Sequence, residues 1–122
     1  MLSFQDLNES RREAAERMRW RIDERLKELR EALPFDVDAY ADHLPHRKEG
    51  YEPETVTVEV DRRVLLGVLE MSLESTRAVL PAMLQTVEGN DEGQMRLLAE
   101  VVDQATQIHN LRIALLEAEE AD

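Results

Sequence analysis

Residues 61–120 carry the strongest hydrophobic pattern of the chain, with apolar side chains that recur at intervals of three and four residues. This spacing is typical of an α-helix with a wide buried stripe. The pattern runs in two arms, separated by the turn-forming residues 89–93, GNDEG. It predicts an antiparallel helical hairpin. The stripe of the first arm is formed by Val64, Leu65, Val68, Leu69, Ser72, Leu73, Thr76, Val79, Leu80, Met83, Leu84 and Val87.

The first arm has little polar surface, because its polar residues follow one narrow line that includes Glu70, Glu74 and Arg77. A helix that is apolar around most of its circumference must be covered on more than one side, so we expect it to be the central helix of the fold. Pro81 lies on the polar line, removes a backbone donor and crowds the carbonyl of Arg77. It predicts a kink or a break near Leu80.

The second arm has two neighbouring apolar edges and an opposite face that we expect to be solvated. The two glycines and Asn90 of the turn are expected to supply the positive φ angles of a tight reversal. One edge contains Leu97, Val101, Ile108, Leu111 and Leu115, and the next contains Leu98, Val102, Ala105, Ile113 and Leu116. The face predicted to be solvated contains Arg96, Glu100, Asp103, Gln107, Asn110 and Glu117.

The first 33 residues predict one long helix that stops at Pro34. Its apolar residues repeat at intervals of eleven, which is typical of a nearly straight helix docked on a bundle. Trp20 falls on the polar side of this helix, near Arg17. Either another segment of the chain covers the indole, or Trp20 and Arg17 anchor an interface, since Trp and Arg are enriched at binding hot spots.

Between Pro34 and the hairpin, the sequence predicts a short helix and a linker. Asp36 can cap a helix over residues 36–44, which Pro45 ends. Residues 45–54 form a polar linker with turn chemistry. His43 and His46 are three residues apart, but no third ligand lies near them and a proline separates them, so we predict neither a metal site nor a cofactor.

Residues 55–60, TVTVEV, alternate strictly and predict a β-strand with Val56, Val58 and Val60 on one face. A solitary strand leaves backbone donors and acceptors open on both edges, and the chain offers no second strand pattern. We therefore expect this strand to pair with a second copy or with another protein. The predicted fold is a single mainly α domain over residues 1–122, a small helical bundle built on the C-terminal antiparallel hairpin, with one short β-strand paired between chains.

Charge and composition limit the classes of partner. The 122 residues include 27 acidic and 15 basic side chains, a net charge of −12. Such a chain repels nucleic acid backbones, so we expect no nucleic acid partner. Without cysteine there is no disulfide, thiolate metal site or cysteine nucleophile. No apolar run approaches the ~20 residues of a membrane span, and no secretory signal pattern begins the sequence. We expect no membrane partner and a location in the cytoplasm, or in a particle assembled there.

A strand followed at once by two helices resembles the ribbon-helix-helix DNA-binding dimers, over residues 55–88. The resemblance implies a two-stranded ribbon shared by two copies. In that family the outward strand side chains read the major groove, and here these would be Thr55, Thr57 and Glu59. Glu59 would face phosphate, and the first helix continues through Leu73, where the family has a turn. We keep the paired ribbon as a geometry and do not expect DNA binding.

Four acidic residues in the hairpin resemble the Mg²⁺-binding carboxylates of the all-helical MazG-like nucleotide pyrophosphohydrolases. They are Glu70 and Glu74 on the first arm and Glu100 and Asp103 on the second. The resemblance implies Mg²⁺ chemistry on phosphates, which needs several converging oxygen ligands. The first pair is spaced by four residues instead of three, the two pairs do not lie level, and all four acids fall on faces predicted to be solvated. We therefore interpret them as surface acids.

These observations predict a non-enzymatic acidic protein that works by contact, as an assembly, adaptor or structural component of the kind common among phage products. We expect a homo-oligomer whose other partner is a protein with a basic surface. One alternative is an inhibitor whose acidic surface imitates nucleic acid. The other is the MazG-like enzyme.

Overall fold

The computed structural model describes residues 4–86 and 91–121. These residues form a mainly helical fold, with four α-helices and one short 3₁₀ turn, in which the two C-terminal helices pack on each other as predicted. None of the described residues lies in a β-strand. The elements are α1 (Phe4–Ala32), α2 (Val37–Ala41), the 3₁₀ turn (Pro45–Arg47), α3 (Arg62–Thr86) and α4 (Glu92–Ala121).

Aspartates cap the starts of the three helices that follow α1. The carboxylate of Asp36 accepts from the backbone amide of Asp38 at 3.0 Å, which confirms the predicted cap of α2. Asp61 accepts from the amides of Arg63 and Val64 at the start of α3. Each cap satisfies backbone donors that the first helical turn leaves open.

The turn between α3 and α4 differs in part from the prediction. Asp91 accepts from the amide of Gln94 at 3.1 Å and so caps α4. Gly93 therefore lies in the first turn of that helix and does not take a positive φ, which the structure gives to Gly50 instead. Gly89 and Asn90 lie outside the described residues.

The hydrophobic core contains two clusters along the bundle. Leu80 packs in the larger cluster, and Leu73 packs with Ala105 in the smaller one. The buried members of the larger cluster are Leu33, Val37, Ala41, Leu80, Leu98, Ala99 and Val102. The smaller cluster joins Ile22, Leu73 and Ala105. Leu80 shares a cluster with Leu98, whereas Leu73, which lies earlier on α3, shares a cluster with Ala105, which lies later on α4. The two helices are therefore antiparallel.

The central helix is α4, and the expectation that α3 is central is wrong. Helix α4 contacts each of the other three α-helices. The buried apolar residues of α3 are Leu69, Leu73 and Leu80, whereas those of α4 are Met95, Leu98, Ala99, Val102, Ala105 and Leu116. The sequence pattern favoured α3 because it is apolar on more sides. The folded chain packs α1 and α4 on α3 but leaves the side that contains Met71 exposed.

Pro81 does not break α3. The helix continues without interruption from Arg62 to Thr86, with Pro81 inside it. Proline lacks the N–H that would bond the carbonyl of Arg77, but Pro81 is exposed, so that carbonyl can be hydrated. A break near Leu80 is therefore wrong, whereas a kink there stays a prediction. Leu80 itself is buried in the core.

The segment that was predicted to be a strand has no regular secondary structure within the single chain. All residues from 51 to 60 are exposed. Val56, Val58 and Val60 are 83%, 73% and 55% exposed, respectively. Pairing of this segment between chains stays a prediction, because it needs a second chain.

Candidate interaction surface

The side of α3 that faces away from the core is exposed and uncharged. We call it the outer face of α3. The larger side chains on it, Val64, Val68, Met71 and Val79, are 61%, 57%, 73% and 53% exposed. The complete face consists of Val64, Val68, Met71, Ser75, Ala78, Val79 and Ala82, all of them exposed.

Helical geometry explains why this face lies outside. At 100° per residue, Met71 is about 200° around the helix from Leu73, which is buried against α4. The polar line of α3 was expected to point to solvent. It lies instead along one flank, where Glu70, Glu74 and Arg77 are only partly exposed. The most exposed side of α3 is therefore apolar.

The valine segment, residues 55–60, comes just before α3 in the chain. Its last valine, Val60, is followed by the Asp61 cap and then by the first residue of α3. Val56, Val58 and Val60 are exposed, as is the outer face of α3. The sequence thus joins two exposed apolar elements without an intervening domain or long linker.

Trp20 and Arg17 lie on α1, three residues apart and therefore on one side of that helix. Both are exposed, and the indole is 66% exposed. No other segment of the described chain covers Trp20. The first of the two explanations, an indole covered within the chain, therefore does not hold in this structure. The interface role of both residues stays a prediction.

Two acids of the second arm, Glu100 and Asp103, are contacted by residues that follow α2 in the chain. Nε2 of His43 lies 2.7 Å from Oε1 of Glu100. Arg47 donates to Oδ1 of Asp103 from Nε at 2.8 Å and from Nη2. Nε2 of His46 lies 2.9 Å from Oδ2 of Asp103. These contacts fasten residues 43–47 to α4.

Asp103 is buried, so its assignment to the solvated face is wrong. Its residue exposure is 3%. Burial by itself raises the pKa of this carboxyl, but hydrogen bonds from Arg47 and Gln107, with the charges of Arg47 and His46, bring the pKa below its usual range. Asp38, which receives a hydrogen bond from Arg47 and lies beside Arg30, also has a lowered pKa. Both carboxylates therefore already accept hydrogen bonds from arginine side chains.

The opposite side of α4 carries a second buried charge. Arg112 is 0% exposed, and its Nη2 donates to Oδ1 of Asp23 on α1 at 2.8 Å. Burial raises the pKa of Glu70 on α3, and the charge of Arg112 partly opposes that shift. Oε1 of Glu70 is buried without a hydrogen-bond partner among the described residues. The sequence patterns did not predict that Arg112 would be buried near Asp23 and Glu70.

The four acids of the MazG-like resemblance do not converge. Asp103 and Arg112 are nine residues apart on α4 and hence about 180° apart around it, so Glu70 and Asp103 lie toward different sides. Glu74 pairs with Arg77 on its own helix at 3.2 Å. Within residues 4–86 and 91–121, no three histidine or acidic side chains are grouped so that they could hold a metal ion.

Comparisons with protein-family models, with curated proteins and with solved structures give no match to this chain. None of the described helices combines the length and the apolar character that crossing a bilayer requires. The candidate site therefore consists of the outer face of α3 together with the valine segment, with Trp20 and Arg17 as a separate exposed pair on α1.

Proposed function

We propose that this protein works by contact with other protein chains, as an assembly, adaptor or structural component, and that it has no catalytic activity. The observation that carries the proposal is the outer face of α3. Seven exposed positions on this face carry no charge, although the chain as a whole has a net charge of −12. A surface helix in a soluble chain normally turns charged and polar residues outward.

The exposed apolar face has an energetic cost that contact would remove. Burying apolar surface stabilises an interface by roughly 25 cal/mol per Å² before the costs of association are subtracted. Contiguous exposed apolar surface rimmed by polar residues is typical of protein interaction sites. The flanking polar line of Glu70, Glu74 and Arg77 provides such a rim on one side.

The valine segment supports the same proposal. An extended chain with exposed backbone groups can add to the edge of a partner strand, and alternate side chains then face one side of the new ribbon. We propose that residues 55–60 pair in this way between chains. The protein would act in the cytoplasm, or in a particle assembled there.

The two alternatives make different demands. An inhibitor that imitates nucleic acid would bind a basic protein through its acids, and the complex would weaken steeply with salt. A MazG-like enzyme would release pyrophosphate from nucleotides only with Mg²⁺. The apolar, uncharged character of the outer face of α3 favours neither.

A photoreactive amino acid at position 71 tests the proposal. Met71 is 73% exposed at the middle of the outer face, and Gln104 is an exposed position on α4 for the matched control. In cells that produce the chain, illumination should give protein adducts from position 71 in clear excess over position 104. Adducts that are absent at 71, or equal at the two positions, would show that this face makes no specific contact.

A further inference from the structure

Six of the exposed positions of α3 follow the spacing of a coiled-coil seam. From Val64 to Ala82, successive positions are separated by four, three, four, three and four residues. This is the alternation by which the a and d positions of a heptad keep one seam facing a partner helix. The seam residues are Val64, Val68, Met71, Ser75, Ala78 and Ala82, all exposed on one unbroken helix.

The sizes of these side chains are arranged unequally along the helix. The first three seam residues are large, and the last three are small. An antiparallel partner with the same sequence places every large residue opposite a small one, centred at the level of Leu73. The three kinds of layer are Val64 on Ala82, Val68 on Ala78 and Met71 on Ser75, and in each layer an a position meets a d position.

From this pattern we infer that the outer face of α3 is occupied by α3 of a second copy, antiparallel to the first, with a two-fold axis at the level of Leu73. The inference rests on the proposed contact function and names its partner. Facing layers of large and small side chains interdigitate to a constant helix separation. A parallel pair would instead set Ala78 on Ala78 and Ala82 on Ala82, which leaves the second half of the seam underpacked.

Charge also favours a second copy over a basic partner at this face. The seam itself is uncharged, so two chains of net charge −12 can meet there without burying any acid in the seam. Glu74 flanks the seam near the axis and approaches its equivalent in the other copy. Each Glu74 already pairs with Arg77 at 3.2 Å, which moderates that repulsion.

On the other flank of the seam, Val79 lies beside Leu65 of the other copy, so the contact on that side is apolar.

The size of the seam limits the strength of the dimer. From residue 64 to residue 82 the helix rises about 27 Å, and a contact strip about 10 Å wide gives a footprint of about 300 Å² on each copy. Stable complexes bury about 800 Å² on each partner. We therefore expect a reversible, concentration-dependent dimer. The adjoining valine segments offer the additional area that would strengthen it.

Cysteine pairing tests the register, and the native chain contains no cysteine to interfere. Val64→Cys and Ala82→Cys are made as separate single variants and oxidised alone and as a mixture. The antiparallel pair predicts that the mixture yields a 64-to-82 linked dimer as the dominant product, while each variant alone links weakly. Strong linking of each variant with itself would show a parallel pair. Absence of linking in every sample would show that the seam is not paired in this way. Either result overturns the inference.

Sedimentation tests the face independently. Met71→Glu places two acids against the centre of the paired seam and should weaken dimerisation by at least about tenfold, because like charges in contact cost more than about 1.4 kcal/mol. Leu111→Glu makes the same change at a 47% exposed site on α4 and should leave the dimer intact. Unchanged helical circular dichroism shows that both variants fold. Equal effects of the two variants, or a wild-type chain that is monomeric at millimolar concentration, would contradict the inference.

Failure of this inference is distinguishable from failure of the proposed function. If position 71 photocrosslinks to a different protein while the cysteine pairs do not link, the contact function stands and the second copy is wrong. If position 71 forms no adduct of any kind and the cysteine pairs do not link, both are wrong.

Discussion

Arg112 of α4 donates a hydrogen bond of 2.8 Å to Asp23 of α1, and no part of Arg112 is exposed. The two residues are 89 positions apart in the sequence, so this contact forms only when the helices are assembled. Nδ1 of His109 lies 3.1 Å from the same oxygen of Asp23. A buried cation therefore links the first and last helices of the fold.

Arg112→Ala should destabilise the fold by about 1 to 3 kcal/mol, because it removes a fully buried side chain and the cation near the half-buried Glu70, while Asp23 is 36% exposed and can be hydrated. The measurement is the free energy of unfolding in denaturant, at a concentration where the chain is monomeric. Arg96→Ala is the control. Arg96 pairs with Glu92 at 3.3 Å on the exposed side of the same helix, and its loss should cost less than about 1 kcal/mol. Equal losses for the two variants would show that the buried Arg112 contributes no more to stability than the exposed Arg96.

Glu70→Gln should make the protein more stable near neutral pH. Burial raises the pKa of Glu70 in the folded chain above the ordinary value of 4.5, so the folded state holds this proton more tightly than the unfolded state does. In the wild type, that difference makes stability fall as pH rises from 4.5 through the folded pKa. Glutamine has no proton to lose, so the advantage of the variant should vanish below pH 4.5.

The comparison needs unfolding curves at several pH values for both chains. Glu52→Gln, in the exposed segment before α3, serves as the control for removing one negative charge from an acidic protein. A Glu70→Gln variant that is less stable than the wild type at neutral pH would show that the attraction to Arg112 outweighs the cost of burial.

Trp20 should emit as a hydrated, quenchable indole in the monomer, because it is 66% exposed. If Trp20 and Arg17 anchor an interface, concentrating the protein or adding its partner should shift the emission to the blue and reduce acrylamide quenching. The measurement is fluorescence across a dilution series with sedimentation in parallel. A blue-shifted, protected emission in a demonstrated monomer would mean that the indole is covered within the chain.

Val58→Pro should weaken association without reducing helix content. Proline removes the backbone donor that residue 58 would contribute to a strand ladder, while the segment makes no helix that could be disrupted. Sedimentation with circular dichroism separates the two effects. Glu54→Pro introduces the same residue just before the valine segment and should have a smaller effect. Equal association of wild type and Val58→Pro would show that residues 55–60 are an extended linker.

The starts of the helices were predictable because they depend on local chemistry, whereas α2 ends at Ala41 and not at residue 44 as predicted. Pro34 ends α1 after Ala32, and Asp36 caps α2, both from preferences that a few neighbouring residues express. The packing of Leu80 against Leu98 follows from the antiparallel hairpin, since the turn sets which levels of the two helices meet.

The buried charges were not predictable from periodicity. Asp103 is buried because Arg47, 56 residues away, reaches it through a turn whose position no local pattern specifies. A signal for Arg112 did exist. Leu98, Val102, Ala105, His109, Arg112 and Leu116 are spaced by four and three residues, so two polar residues interrupt a regular buried seam. Such an interruption indicates a buried pair as readily as an exposed face.

Helix α3 also shows why the central helix was misassigned. Its sequence is apolar on two sides, and periodicity cannot tell whether the second side is covered by the same chain or by another one. The structure places Leu73 inside and Met71 outside, although the two residues are similar in hydrophobicity.

The two sides of α3 should consequently respond to different kinds of selection. A library of variants sorted only for folding should reject polar residues at Leu73, because that side chain is 1% exposed, and should accept them freely at Met71. A library sorted for activity in the native host should reject them at both positions. The difference between the two tolerance profiles would mark the residues that are kept for contact, whichever protein the partner is.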